Sequence, residues 1–216
     1  MKITDVKVFR MATPVHKTAG TNWLFVRIDT DAGISGWGEG SLQYKDAALE
    51  AEILDFGKFL EGKDPRRIDW IWTSLYRRVT WAGGPVSMSA ISAIDLALWD
   101  LKARSLDIPV WELAGGKHRD NVRVYANGWF ENLVEPVPGV PAETAARQAS
   151  PAKHAEAALK LKKKGWTALK FYPFGGPQTV TPQRIQHGID LVQAVRDAVG
   201  PDMEIAIDVR ARLDPW

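Results

Sequence analysis

A strand–helix–strand pattern near the C-terminal end constrains the fold of this chain most. Two short apolar runs rich in β-forming residues, 168–172 and 204–209, flank a segment with helical periodicity. Thr181 is suited to cap the start of that helix, Pro182 to its first turn, and Gly200 to its end. The apolar stripe of the helix consists of Ile185, Ile189, Val192, Val195 and Val199. Such a unit predicts two parallel strands joined by a right-handed crossover.

Charged and polar side chains mark the carboxyl ends of both predicted strands. Lys170 and Tyr172 share one face of the first strand. Asp208, Arg210 and Arg212 share one face of the second. Because α/β folds bind their ligands at the carboxyl ends of parallel strands, we expect these side chains to border a ligand site.

The rest of the chain falls into two regions with different patterns. Three predicted strands form an antiparallel meander at the N-terminus: Ile3–Met11, Trp23–Asp29 and Ile34–Glu39. Predicted helices follow over Lys45–Leu60, Pro65–Arg78 and Ser87–Arg104. Beyond the basic residues 117–119, strands and helices alternate: Val122–Ala126, Ser150–Lys164, Ala168–Tyr172, Pro182–Val199 and Ile205–Val209. The pattern predicts an antiparallel module followed by a parallel α/β module.

A glycine-rich stretch, Gly36–Gly40, invites comparison with a dinucleotide-binding loop. It lacks the full glycine spacing and the strand–turn–helix context of that motif, so we reject this interpretation. The third predicted helix has a flat face of three alanines: Ala90, Ala93 and Ala97. Small residues at that spacing permit close packing of the helix. Asp95 and Asp100 lie in the same helix and are interpreted as structural carboxylates.

The composition excludes several classes of protein. The net charge is only +2, which does not indicate a nucleic-acid or lipid partner. The lysines at 160 and 162–164 fit solvated surface charge near a helix end. The lack of cysteine excludes disulfides and thiolate metal sites. No apolar run is long enough to cross a bilayer, and the N-terminus lacks the apolar core of a signal peptide. We therefore predict a cytoplasmic protein with no nucleic-acid or membrane partner.

Four separated segments resemble the enolase superfamily, in its mandelate racemase/muconate-lactonising branch. The segments are Gly36–Glu39, Ala90–Ala103, Pro109–Gly116 and Ala168–Gly175. They occur in the family's order, and the resemblance covers essentially the whole chain. Within the branch, the chain is most similar to sugar-acid dehydratases of the galactonate or gluconate type.

The resemblance implies a fold in two parts. Residues 1–118 would form an α+β capping domain, with a three-stranded antiparallel meander plus helices. Residues 119–216 would form the first three strands of a TIM-like (β/α) barrel, so the barrel would be incomplete. The resemblance also implies a homo-oligomer for the full-length protein.

The chemistry implied by the resemblance is Mg²⁺-assisted abstraction of a proton α to a carboxylate, here that of a sugar acid. The base is the amine that ends the second barrel strand, and the carboxylate that ends the third strand binds Mg²⁺. Lys170 and Asp208 occupy those positions. The cation offsets the charge that develops on the carboxylate oxygens of the substrate, and a lysine base needs a pKa lowered toward neutrality.

Two residues depart from the family pattern. Many members carry a second lysine at the position of Tyr172, which could exchange a proton with the substrate or could form only a wall of the site. Several dehydratases carry histidine at the position of Arg210. Arginine stays protonated, so it is a poor general acid but could pair with a substrate carboxylate.

Further substrate-contact candidates come from other segments. Arg212 lies on the same strand face as Arg210, and Asn127 follows the first predicted barrel strand. The polar loop 13–22 would close over the substrate, with His16 and the adjacent Trp23 as specificity candidates. The alternative for this loop is a solvated connection with one buried tryptophan.

The third departure is that the chain ends at Trp216, before the positions of two further acidic metal ligands and a His–Asp base. We therefore expect a truncated product, a fragment or half of a split enzyme, with poor Mg²⁺ binding and little turnover on its own. One alternative is a non-catalytic subunit that docks a partner supplying the remaining strands. The others are a racemase, epimerase or cycloisomerase of the same superfamily, and a stand-alone α/β binding protein.

Overall fold

The computed structural model describes residues 1–12, 23–78, 80–130, 133, 149–174, 180–209 and 213. The predicted loop 13–22 with His16, and the predicted strand-end residues Arg210 and Arg212, lie outside these ranges. The chain divides into two compact units, Met1–Asp120 (unit 1) and Asn121–Trp216 (unit 2).

Unit 1 contains three strands and four helices among its described residues. The strands are β1 (Ile3–Met11), β2 (Trp23–Thr30) and β3 (Ser35–Glu39). The helices are α1 (Asp46–Leu60), α2 (Ile68–Arg77), α3 (Pro85–Ser105) and α4 (Val110–Leu113). The strands pair antiparallel in the order β1–β2–β3, which confirms the predicted meander. Leu24, Val26 and Ile28 alternate along β2 and are fully buried under the helices.

The glycines of β3 allow α3 to lie directly on the sheet. A Cβ atom at Gly36 or Gly38 would collide with the backbone carbonyl of Ala97 or Ala93, and one at Gly40 would lie 2.6 Å from the Ala93 Cβ. Ala93 and Ala97 are fully buried at this contact. The glycine-rich stretch is therefore explained by helix packing, and the predicted flat alanine face is confirmed.

Two helix starts differ from the prediction. Helix α3 begins at Pro85, after Gly84 with a φ of 81°, and Ser87 lies inside the first turn. The Ser87 hydroxyl donates a hydrogen bond of 2.8 Å to Glu52 on α1, so it joins two helices and does not cap one. Helix α2 begins at Ile68, three residues after the predicted proline start.

Unit 2 contains two strands and two helices among its described residues: α5 (Pro151–Lys163), β4 (Ala168–Phe171), α6 (Pro182–Val199) and β5 (Glu204–Ile207). β4 and β5 are parallel, with Lys170 opposite Ala206. The predicted helix caps are confirmed: the Thr181 hydroxyl accepts from the Arg184 N–H at 3.4 Å, and Gly200 ends α6 with a φ of 74°. The predicted strand–helix–strand unit of β4, α6 and β5 is therefore confirmed.

The first predicted barrel strand is shorter than expected. Ala126 makes an isolated parallel bridge to Leu169, and the rest of Val122–Ala126 is not in a regular strand. Val122 and Val124 are exposed, and Gly128 turns the chain with a φ of 68°. The strand prediction was wrong in extent because β-branched residues at these positions have no apolar layer against them.

The buried face of α6 also differs from the predicted stripe. Leu191, Val195 and Val199 are fully buried. Ile185 and Ile189 are 39% and 50% exposed, whereas Gly188 is buried. A Cβ atom at Gly188 would lie 2.6 Å from the ring of Phe174, so the glycine admits this aromatic side chain against the helix. Close packing through a small residue rotates the two isoleucines outward. None of the described helices combines the length and apolar character needed to span a membrane.

Candidate active site

An amine and a carboxylate meet at the carboxyl end of the parallel strands. The Lys170 Nζ lies 3.4 Å from Asp208 Oδ2, and the two side chains are 22% and 33% exposed. Lys170 is opposite Ala206, and the Asp208 N–H donates to the Phe171 carbonyl at 3.0 Å, which extends the ladder by one step. The period of two along β5 therefore places Asp208 beside Lys170.

Tyr125 lies against the same amine and was missed by the sequence reasoning. Its ring centroid is 5.7 Å from Lys170 Nζ, a cation–π distance, and the side chain is half-exposed. Tyr125 precedes Ala126, which pairs with Leu169 on β4. The signal in the sequence was its spacing of two from the candidate Asn127, which gives both side chains the same direction on an extended segment.

Tyr172 lies in an aromatic cluster. It is 6% exposed, and its ring packs edge-on against Phe130 with centroids 5.0 Å apart. The remaining cluster residues are Trp129, His154 and Phe171. This burial fits a wall residue, one of the two roles considered for Tyr172.

The other described candidates lie apart in the chain. Asn127 is exposed in unit 2, next to the Ala126 bridge. Trp23 is half-exposed in unit 1 at the start of β2, where its ring stacks on Phe25 with centroids 6.0 Å apart. An exposed position is compatible with substrate contact for both residues, whose roles stay predictions.

A buried histidine of α5 packs against the aromatic cluster around Tyr172. His154 is 1% exposed, and its Nδ1 lies 3.3 Å from the Ser150 carbonyl oxygen. Burial lowers its pKa below 6.5; the hydrogen bond with the Ser150 backbone opposes this effect, and the electrostatic interaction with His187 adds to it. The neutral ring stacks with Phe130 at 6.4 Å, so His154 is part of the apolar core of unit 2.

Asp208 supplies a carboxylate at this site, and carboxylate oxygens are ligands that Mg²⁺ prefers. Within the described ranges, no group of three or more histidine, cysteine, aspartate or glutamate side chains converges. The carboxylate of Asp208 is of the right chemical type, but Mg²⁺ requires a near-octahedral set of oxygen ligands. The described residues therefore supply one ligand and do not form a complete metal site.

The architecture defines the class of protein. An antiparallel three-stranded sheet backed by helices is followed by parallel strands with a lysine and an aspartate at their carboxyl ends. This is an α+β capping domain joined to the first part of a (β/α) barrel, as predicted.

Comparison with known proteins gives the family. The sequence model described as the mandelate racemase/muconate lactonizing enzyme N-terminal domain matches residues 2–115, and the chain belongs to this family of enzymes. It is 44% identical over 126 residues to a D-galactonate dehydratase of Variovorax paradoxus (strain S110), covering 58% of this chain and 31% of that protein.

Two longer matches cover nearly the whole chain. A D-galactonate dehydratase of Klebsiella pneumoniae (strain 342) is 31% identical over 214 residues, which are 99% of this chain and 49% of that protein. A crystal structure of a candidate dehydratase from Mesorhizobium loti has a TM-score of 0.80 and 36% identity, over 99% of this chain and 54% of that one. The chain thus spans about half the length of the relatives that it matches end to end.

Proposed function

We propose that this chain contributes the base to an enzyme that removes the proton α to the carboxylate of a sugar acid and then eliminates water. The approach of Lys170 Nζ to Asp208 at 3.4 Å is the observation that carries the proposal. The names of the two D-galactonate dehydratases support the choice of a sugar acid.

Lys170 would accept the α-proton at Nζ. The electron pair of the broken C–H bond moves toward the substrate carboxylate and forms an enediolate. Mg²⁺, which Asp208 would help to hold, supplies electrostatic stabilisation of that charge when it is bound. Loss of the β-hydroxyl as water needs a proton, and the ammonium formed at Lys170 is a donor that the site then holds.

Asp208 and Tyr125 would orient the amine before the proton moves. The Asp208 carboxylate oxygen lies 3.4 Å from the Lys170 Nζ, and the Tyr125 ring centroid lies 5.7 Å from the same atom. A base held in one direction needs less reorganisation when the substrate arrives.

The second candidate function is epimerisation of the same acid. Arg210 stands where several dehydratases of the family carry histidine, and arginine does not readily protonate a leaving hydroxyl. If the proton returns to carbon instead, the configuration inverts or exchange with solvent occurs without net elimination.

Incubation with D-galactonate and a panel of acid sugars in D₂O with Mg²⁺ tests both candidates. Proton NMR detects exchange of the α-hydrogen, and a carbonyl reagent detects the keto-deoxy acid product. The chain should be assayed beside the D-galactonate dehydratase of Klebsiella pneumoniae, which serves as the positive control. A keto-deoxy acid formed by the chain supports dehydration, and formation of the α-carbon epimer without a keto-deoxy acid supports epimerisation.

Two variants test the assigned roles. Lys170→Ala should lower both exchange and turnover by roughly 10²–10⁴-fold, the usual contribution of a general base. Asp208→Asn should weaken the response to Mg²⁺. Lys164→Ala, which removes an exposed lysine after α5, is the matched control and should behave as wild type. Full activity in Lys170→Ala would refute the proposal. The cytoplasmic location and the homo-oligomer remain predictions.

A further inference from the structure

The hydrogen-bond ladder between Ala126 and β4 stops beside Lys170. At that point a side chain, and not a backbone N–H, donates to the Lys170 carbonyl. The Ala126 N–H donates to the Ala168 carbonyl at 3.0 Å, and the Lys170 N–H donates to the Ala126 carbonyl at 2.8 Å. In a continuing parallel ladder the next donor to Lys170 would be the N–H of residue 128. Gly128 has a φ of 68° and turns the chain away, and the Trp129 indole Nε1 donates to the Lys170 carbonyl at 3.0 Å.

Three aromatic rings pack against the Trp129 indole. Its centroid lies 5.5 Å from that of Phe171, 5.6 Å from that of Phe130 and 6.1 Å from that of His154, all with steep interplanar angles. Edge-to-face contacts of this kind fix the orientation of an aromatic ring. The direction of the indole N–H is therefore set by the cluster and not by solvent.

We infer that Trp129 is a positioning residue for Lys170. By holding the carbonyl of Lys170, the indole fixes the backbone from which the amine reaches toward Asp208. This inference rests on the proposed function for its catalytic meaning. A displacement of about 1 Å at a reacting group can lower a rate by about 10²-fold, so a single donor at this carbonyl matters for the chemistry.

The test measures the chemical exposure of the Lys170 amine in the full chain. Trace labelling with acetic anhydride, followed by peptide mass spectrometry, gives a relative acylation rate for each lysine. Lys58, an exposed lysine of α1, serves as the internal reference. In Trp129→Phe, loss of the donor should let the amine leave Asp208, and its acylation rate should rise by about three- to tenfold, the effect expected for one hydrogen bond.

Two further proteins separate positioning from general destabilisation. Replacement of the Trp129 indole by benzothiophene keeps the ring shape and removes only the N–H donor, so it should give the same rise. Trp166→Phe changes another indole of the same apolar cluster and should leave the Lys170 rate unchanged. In an enzyme assay, Trp129→Phe should lower kcat more than it raises KM.

Failure of the positioning role and failure of the proposed function would give different results. An unchanged Lys170 rate in the benzothiophene protein, or an equal rise in Trp166→Phe, would overturn the positioning role. Full turnover by Lys170→Ala would overturn the function but not the labelling result, because acylation reports only the position of the amine.

Discussion

The Gly38 Cα faces the backbone carbonyl of Ala93 so closely that no side chain fits between β3 and α3. This contact joins the sheet to its longest helix, and Ala93 is fully buried within it. The position therefore depends on the absence of a Cβ atom and not on glycine's backbone freedom.

Gly38→Ala should lower the free energy of unfolding by about 3 kcal/mol, the upper range for overpacking a tight contact, because backbone lies on the far side and cannot move aside. Urea denaturation followed by circular dichroism measures the change. Gly33→Ala is the comparison, since Gly33 has open space around it and a φ of 74°. It should cost only about 1 kcal/mol, from the left-handed conformation. Equal effects of the two substitutions would contradict the packing argument.

We expect Asp100 to stabilise the fold of unit 1 and not to take part in catalysis. Its Oδ2 accepts from the backbone N–H of Trp37 at 2.8 Å and from Arg104 Nε at 2.7 Å, which ties α3 to β3. Asp100→Ala leaves the Trp37 N–H without its acceptor and should lower the free energy of unfolding by about 1–3 kcal/mol. Asp100→Asn retains an acceptor oxygen and should recover part of that loss. A thermal melt of the two variants checks the order, and an Asn variant less stable than the Ala variant would contradict it.

The packing of unit 1 could be predicted from sequence because it follows short-range patterns. The alternation of apolar and polar residues predicted the three strands. The alanines of α3 predicted the flat helix face, on which the glycines of β3 pack. The meeting of Lys170 with Asp208 was also predictable, since a period of two and parallel pairing decide which side chains share a face. These features need only the local period and the order of the strands.

The missed residues depend on where a regular pattern breaks. Trp129 reaches Lys170 because Gly128 turns the chain, and Tyr125 lies beside the amine because its segment makes a bridge only at Ala126. Propensity indicated a full strand there, although Val122 is exposed. The position of a turn and the presence of a covering layer are tertiary properties, which single-sequence periodicity does not contain.

The pH dependence of unit 1 should include a contribution from Asp29. Burial alone would raise its pKa, but hydrogen bonds from Lys7, Ser35 and Arg27 outweigh that effect and lower the pKa from 3.8 to about 2. A carboxylate with a depressed pKa in the folded state stabilises the protein above its unfolded pKa. That stability, about 1–2 kcal/mol, should be lost as the pH falls from about 4 to about 2.

Urea midpoints measured across this acid range test the contribution of Asp29. Asp29→Asn should lower stability near neutral pH and flatten the acid slope, because the variant has no proton to bind at this position. Asp55→Asn, which changes an exposed carboxylate on α1, should keep the wild-type slope. An Asp29→Asn slope as steep as that of wild type would show that other carboxylates cause the acid loss.

The pH dependence of unit 2 should have a separate contribution from His154, near neutral pH. Desolvation lowers the pKa of this buried ring below 6.5, with His187 contributing in the same direction. The unfolded chain then binds more protons than the folded one below that pH, so stability should fall as the pH drops through about 6.5.

His154→Phe keeps an aromatic ring against Phe130 and removes the titrating group, and should flatten this slope. His118→Gln, at an exposed position, should not. Urea midpoints measured across the neutral pH range give this slope for each variant. A slope that survives in His154→Phe would assign the transition to another group.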